Sequence, residues 1–483
     1  METLIKNGTV VTATRRFKAS VGIDKGVIAG LYETGTEPVA DEVFDATGLH
    51  VLPGFIDMHS HHREGSEPGY EYKETILTAT QQCAAGGVTT TVGMPNVAPP
   101  PNTLELLEKQ YERYRASALV NWNFNPLTTR IDEMPAMAQT GIAGFKVFMV
   151  ADTGRGYPHM PGLGVHEQGK LFETMQMCAE IDMPLMVHPH SQSLMEFIER
   201  QFWARGERDA LAYARCYASY DGLNPEMAIA TLLRMQQAAP CHLHILHAQT
   251  TGSVELIRQA KAAGQNVTCE INPWTLFLSC DWATVERLGS YALAYWVPEK
   301  NLPGLWEGMN DGTIDIVSTD HSPHTREEKE IGWVDGWKAH TGLPSTQFYL
   351  SMMMSAVHEG KLSLERAVEM CSSAPAGIFG LEGKGQISAG YDADLVLVDL
   401  EQEFEVLEKD VLALVGWSPW AGRHFRGKPV RTLLGGRTIY QDGKVIGMPG
   451  GGRQTVAVKS ARSRPTSRAG VGMYAGAAVG VST

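Results

Sequence analysis

Six side chains scattered through 483 residues could together do chemistry, and each stands in an otherwise apolar run. His59 and His61 close GFIDMHSH, Lys146 lies inside AGFKVFMV, His188 ends LMVH, His247 ends HLHILH and Asp320 ends DIVSTD. Alternate residues of a strand share a face, so His59 and His61 can chelate one cation from a single strand. Lys146 is harder to place, because an unpaired ammonium in an apolar strand costs several kcal/mol of desolvation. It needs a partner or a changed chemical state, and reaction with CO2 would make it an anionic bridge between two cations. Asp320, a carboxylate at the end of an apolar strand, poses the same question, with capping of the next helix as its plainer role. His190, His242 and His244 read as hydrogen-bonded structural residues, the last two being out of phase with His247. Imidazoles, a carboxylate and a lysine arranged in this way point to a metal site.

These residues need a scaffold that gathers strand ends. Eight β-rich runs, GFIDMH, VTTTVGM, LVNWNF, IAGFKVF, LMVHPH, HLHILHA, NVTCEIN and IDIVSTDH, alternate with helical patterns such as GKLFETMQMCAE and SVELIRQAKAAG. Eight strands in alternation with helices predict an α/β protein, a (β/α)8 TIM-like barrel with its active site at the C-terminal strand ends. The helix around EYKETILTATQQCAA should stop at Gly86 and Gly87. Outside the barrel, LIKNGTVV, KGVIAGL, DADLVLVD and PVRTLLGGRTIYQDGKVI are β-runs split by Asn-Gly, Asp-Gly and Gly-Gly turns. They predict a smaller β-sandwich domain built from both termini. The expected division is 1–53 and 385–458 for the two parts of that domain, 54–384 for the barrel, and 459–483 for a Gly/Ala/Ser/Arg-rich tail, flexible or reaching a neighbouring subunit.

Composition narrows the function classes. With 43% hydrophobic and 20% charged residues the chain can build one large core and a satellite. A net charge of −13, without a clustered basic run, argues against a nucleic-acid surface, so an anionic substrate would need local cations. Seven cysteines without CxxC spacing suit neither a disulfide framework nor a thiolate zinc site. The first residues lack the apolar core of a signal peptide and no run has the length of a membrane span, so a cytoplasmic location is expected.

The run GFIDMHSHHREG, followed by YKETILTATQQCAAGGVTTTVGMPNVAPPPNT, resembles the dihydroorotase branch of the amidohydrolase superfamily. Its relatives include hydantoinases, dihydropyrimidinases and allantoinases. GFKVF, VHPHS, LHILHAQ, DGTIDIVSTDHSPHT and AGYDADLVLVD continue the likeness through roughly residues 1 to 450. The resemblance implies a hydrolase that opens the ring of a small cyclic amide, dihydroorotate first, with a place in pyrimidine metabolism. It implies a binuclear centre, zinc the first choice, with His59, His61 and Asp320 on one ion, His188 and His247 on the other, and carboxylated Lys146 between them. Two such cations acidify a shared water and polarise the substrate carbonyl. Asp320 would act as base and then as acid. The resemblance also implies a homodimer or homotetramer.

By the same resemblance Arg63, Asn96 and His324 would hold the substrate carboxylate, which a guanidinium can grip with two hydrogen bonds. Plainer roles are an Arg63 paired with Glu64 or another rim acid, an Asn96 serving the Pro-rich turn after it, and an exposed loop His324. Three departures bear on the substrate. AYWVPEKN replaces the arginine-bearing loop of dihydroorotases; Ala151 stands where hydantoinases carry a substrate-facing tyrosine; His62 breaks the usual apolar position of HxHxR. Trp274, Tyr295 and Trp296 could line a pocket for a larger ring, or be plain core. The alternatives are a hydantoin, dihydropyrimidine, allantoin or imide hydrolase and, from another class, a non-catalytic scaffold. A scaffold would lack several ligands and purify without metal.

Overall fold

The computed structural model describes residues 1–151, 162–278, 282–293 and 298–463. Five strands open the chain: β1 (Thr3–Val11), β2 (Arg16–Asp24), β3 (Val27–Tyr32), β4 (Glu42–Asp45) and β5 (His50–Pro53). Eight short parallel strands follow, alternating with helices: β6 (Phe55–Ser60), β7 (Val88–Gly93), β8 (Asn121–Phe124), β9 (Phe145–Phe148), β10 (Leu185–His188), β11 (Leu243–Ile245), β12 (Val267–Ile271) and β13 (Ile316–Val317). Four more, β14 (Leu395–Glu405), β15 (His424–Leu434), β16 (Arg437–Gln441) and β17 (Lys444–Val445), complete the set among the described residues.

Strands β6 to β13 close into the expected barrel. Ladders join β6-β7-β8 and β9 through β13, and two bridges close the ring where the regular strands end. Leu127 pairs with Lys146, and Ser60 pairs with His321, where His61 N donates to His321 O at 2.7 Å. Every residue of these eight strands is buried, one face by the barrel interior and the other by helices, which is why they read as apolar runs rather than alternating ones. The helix Ile76–Ala85 starts later than EYKE because Thr75 caps it, and it stops at Gly86 as expected. A Cβ on Gly86 would meet Thr346 O at 2.3 Å, so this close approach requires glycine.

The termini share one nine-stranded sheet, with β5 from the front antiparallel to β14 from the back. Its satellite core is formed by Ile5, Val21, Val51, Leu395 and Leu433 among others. One turn expectation is corrected. Asn7-Gly8 does not separate two strands but forms a bulge inside β1, where the register shifts between Ile5 and Gly8 and Asn7 takes φ 63°. Gly8 is needed because Val51 of β5 crosses so near that a Cβ would lie 2.7 Å from its Cγ2.

After β17 the chain leaves the sheet and runs along the barrel. Gly452 N bonds Ala118 O, Trp122 N bonds Arg453 O, Val458 N bonds Gly380 O and Ser463 N bonds Gly377 O. The segment 459–463, the first residues of the tail expected to be flexible or to reach a neighbouring subunit, lies on the barrel, where its backbone and the Arg462 guanidinium find partners, including Asp182 O. The rest of that expected tail, 464–483, lies outside the described residues. Six of the seven cysteines are free, buried thiols, and the seventh, Cys280, lies outside the described residues. No helix among the described residues is long and apolar enough to cross a membrane.

Candidate metal centre and anion cradle

Five of the six candidate metal-site residues lie at or just beyond the C-terminal ends of barrel strands, the sixth, Lys146, lies within β9, and the fold brings them together. His59 is the last residue but one of β6 and His61 follows the strand; Asp320 lies three residues past β13. His59, His61 and Asp320 place ligand atoms within 4.8 Å of one another. Asp320 Oδ1 is 3.2 Å from His59 Nε2 and 3.1 Å from His61 Nε2. Asp320 does not cap the next helix, Arg326–Glu330, which Thr325 caps instead. Lys146 on β9 is fully buried with Nζ 3.2 Å from His59 Nε2. His188 at the end of β10 and His247 just past β11 face each other, Nδ1 to Nε2, at 2.8 Å, and the His247 ring lies 6.0 Å from that of His59.

Backbone conformation aims several of these groups. Arg63, His247 and Asp320 all adopt positive φ (61°, 39° and 46°), a conformation uncommon outside glycine and concentrated at functional sites. A buried carboxylate braces the same region: Asp57 of β6 accepts hydrogen bonds from Thr319 N, Thr319 Oγ1 and His59 N. It thus ties the residue before Asp320 to the strand carrying the histidine pair. Burial pushes the Asp57 carboxyl up to about 6.

The electrostatics suit cation binding. Burial, reinforced by neighbouring cationic groups, pushes the His61 and His188 imidazoles well below their usual range, and burial takes His247 down to about 3, leaving lone pairs for ligation. Burial also pushes the Lys146 amine down to about 7, against the pull of Asp320 and Glu270. Sequence reasoning missed Glu270 on β12. Its Oε1 lies 2.6 Å from His59 Nδ1 and its Oε2 3.6 Å from His244 Nε2. Burial alone would raise this carboxyl, yet His59 and His244 hold it well below the usual carboxylate range. The signal was available, since Glu270 in NVTCEIN is an ionisable group inside an apolar strand, as Lys146 is in AGFKVFMV.

Arg63, Asn96 and His324 lie on loops at the same end of the barrel, and each is buried. The Arg63 guanidinium contacts Ser322 Oγ, and its Nη2 lies 3.2 Å from His324 Nε2. Glu64 pairs with Arg113, at 3.4 Å, and His324 is inaccessible to solvent rather than exposed on a loop. Asn96 Oδ1 is buried without a hydrogen-bond partner, so the side chain does not serve its own turn through that atom. His62, the residue that interrupts the motif, points away into packing, with Nδ1 2.6 Å from Tyr114 Oη and Nε2 3.3 Å from Thr91 Oγ1.

His242 and His244 both contact Thr268 Oγ1 at 2.8 Å, which agrees with hydrogen-bonded structural roles, whereas His190 is buried beside Tyr217 with its Nδ1 lacking a hydrogen-bond partner. Trp274 is core, buried in a cluster with Trp337 and Trp420. Tyr295 and Trp296 lie outside the described residues.

The family model described as "Amidohydrolase family" matches residues 50–439, which spans every candidate residue above. The chain belongs to the amidohydrolase family. This amidohydrolase is 34% identical over 449 residues to a dihydroorotase of Lactobacillus helveticus, covering 92% of this chain and 100% of that one. It is 34% identical over 457 residues to an allantoinase of Rubrobacter xylanophilus, covering 93% and 96%. Among solved structures it superposes on the L-hydantoinase (dihydropyrimidinase) of Arthrobacter aurescens with a TM-score of 0.87, at 30% identity, covering 94% of this chain and 99% of that one. The family is metal-dependent, and the His59, His61 and Asp320 group could hold an ion.

Proposed function

We propose that this amidohydrolase opens the ring of a cyclic amide bearing an anionic substituent, dihydroorotate or a carboxylated analogue. The observation that carries the reading is the buried Arg63 guanidinium, braced by Ser322 and His324 beyond the same barrel strands that bear His61 and Asp320. A guanidinium can grip a carboxylate with two parallel hydrogen bonds, and in a chain of net charge −13 an anionic substrate needs such a local cation. Asn96, on a neighbouring loop, offers its amide to the same ligand.

The donor set fits divalent metal. His59, His61 and Asp320 would hold one ion and His188 and His247 a second, with Lys146 between, and imidazole with carboxylate-type ligands favours zinc. Bound there, such ions would supply Lewis-acid polarisation of the ring carbonyl and would acidify the attacking water. Lys146, with its amine near neutrality, is suited to attack CO2: its nitrogen forms the C–N bond and sheds a proton, leaving a carbamate that can bridge. Asp320 takes the proton from the attacking water and delivers it to the ring nitrogen as the C–N bond breaks. Glu270 fixes the His59 ring while this happens.

The likeness to L-hydantoinase favours a second reading, hydrolysis of a neutral hydantoin ring; Ala151, at the position where hydantoinases carry a tyrosine, weighs against it. Turnover of dihydroorotate, dihydrouracil, hydantoin and allantoin by the zinc-loaded protein separates the two, repeated with Arg63→Ala. Loss of Arg63 should damage dihydroorotate hydrolysis far more than that of a neutral ring. Equal damage to both would sink the anionic-ring assignment.

A further inference from the structure

Behind the Arg63 guanidinium lies a second polar cluster that ring opening does not call for. His324, Glu328 and His340 converge closely enough to hold a metal ion, but a cation of the protein already stands among them. Lys73 Nζ lies 2.7 Å from Glu328 Oε1, 3.2 Å from His340 Nδ1 and 3.3 Å from His324 Nδ1. Lys73 comes from the turn before the helix Ile76–Ala85 and is buried. Glu328 belongs to the short helix Arg326–Glu330 and is pinned a second time, its Oε2 accepting from Thr325 N at 3.0 Å. Both carboxylate oxygens therefore have fixed partners.

The contacts with Arg63 and Glu328 favour one arrangement of protons on His324. Arginine has only donors, so His324 Nε2, 3.2 Å from Arg63 Nη2, must be the acceptor. The proton of the neutral ring is then on Nδ1, where Glu328 Oε2 lies 3.3 Å away to receive it. Lys73 is also a pure donor and cannot receive that proton; it gives its own to Glu328 Oε1 and His340 Nδ1. Without the glutamate, His324 Nδ1 would lose this acceptor and keep the Lys73 donor 3.3 Å away, which favours the opposite tautomer, with a proton on Nε2 facing Arg63.

We propose that Lys73 and Glu328 are positioning residues for anion recognition, holding His324 as the Nδ1–H tautomer so that its Nε2 lone pair, with Ser322 Oγ, aims the Arg63 guanidinium. This rests on the anionic-ring reading above and deepens it. His324 then works through Arg63 rather than by donating to the substrate carboxylate itself. A neutral ring gains little from an aimed guanidinium, so the contribution of the pair appears in selectivity between anionic and neutral rings.

Two measurements on the zinc-loaded protein test this. The first is nitrogen NMR of histidine-labelled protein, with His324 assigned by its disappearance in His324→Gln. The Nδ1–H pattern is expected in the wild type and its loss in the double variant Lys73→Met with Glu328→Gln. A wild-type His324 in the Nε2–H form, or a double variant that keeps the Nδ1–H form, overturns the proposal. The second is the ratio of kcat/KM for dihydroorotate to that for whichever neutral ring, dihydrouracil or hydantoin, is turned over. It should fall about tenfold in the double variant and stay near the wild-type value in Lys73→Arg. General loss of structure would lower both rates and spare the ratio, and a ratio preserved in the double variant overturns the proposal. Should the wild type neither bind nor hydrolyse dihydroorotate, the substrate reading falls while the tautomer measurement still decides the role of the pair.

Discussion

Glu270 Oε1 lies 2.6 Å from His59 Nδ1, with both groups buried among the barrel strands. This contact fixes the proton on Nδ1 and leaves the Nε2 lone pair facing Asp320 Oδ1, 3.2 Å away. Such outer partners hold ligand rings in orientation and raise their basicity. Glu270→Gln should therefore weaken zinc binding by roughly 10–100-fold, read by competition with a chromophoric chelator. Unaltered affinity would mean that strand β6 alone orients the ring.

Asp320 occupies a left-handed backbone conformation at φ 46°, which asparagine tolerates better than most residues. Asp320→Asn should keep the fold, as judged by an unfolding midpoint near wild type, yet lose proton transfer. Turnover should fall by about 10²–10⁴-fold. A variant within a few-fold of wild-type turnover would assign the proton to another group.

Lys73 gives a pH signature with a definite sign. Burial, with Arg63 nearby, lowers its amine from 10.5 to about 8 in the folded chain. Between those values the unfolded chain binds the proton and the folded one does not, so stability rises with pH across that window. The stability of the wild type relative to Lys73→Met should rise by up to about 3 kcal/mol from the lower to the upper value, measured by urea unfolding at each pH. A difference that is flat across the window would show that the ammonium stays charged.

His62 tests the boundary of the site. It is hydrogen-bonded to Tyr114 and Thr91, and burial pushes its imidazole down to about 3, so it is a neutral packing residue despite adjoining His61. His62→Leu leaves the buried Tyr114 hydroxyl without this partner and should cost about 1–3 kcal/mol, lowering the urea midpoint without changing its slope. Metal content should stay the same. A drop in bound zinc at wild-type stability would move His62 into the centre.

The barrel was legible because its strands are buried on both faces and so read as eight apolar runs, each with a turn or helix signal on either side. Lys146 and Asp320 stood out for the same reason: a charge is conspicuous where everything around it is apolar. Glu270 and Asp57 carry an equal signal, each being an ionisable side chain inside an apolar run. The cluster around Lys73 was not legible, because Lys73, Glu328 and His340 meet only through the folding of separate loops, and each alone looks like a solvated residue. Asn7-Gly8 misled for a related reason: the dipeptide supplies a left-handed backbone, and whether that makes a turn or a bulge depends on β5, which is far away in sequence.

The strap that follows β17 has a consequence for how the molecule is made. Asn123, at the root of β8, donates to Thr455 O across 332 positions of chain, and β5 waits for β14 in the same way. A ribosome delivers β5 long before β14 emerges, so although β1 to β5 can pair among themselves, the outer edge of β5 stays unpaired for most of synthesis, the kind of surface that invites aggregation. Contacts of such long range also make folding slow. Moving the segment 446–463 to the front of β1 by circular permutation would let the strap meet β8 during translation.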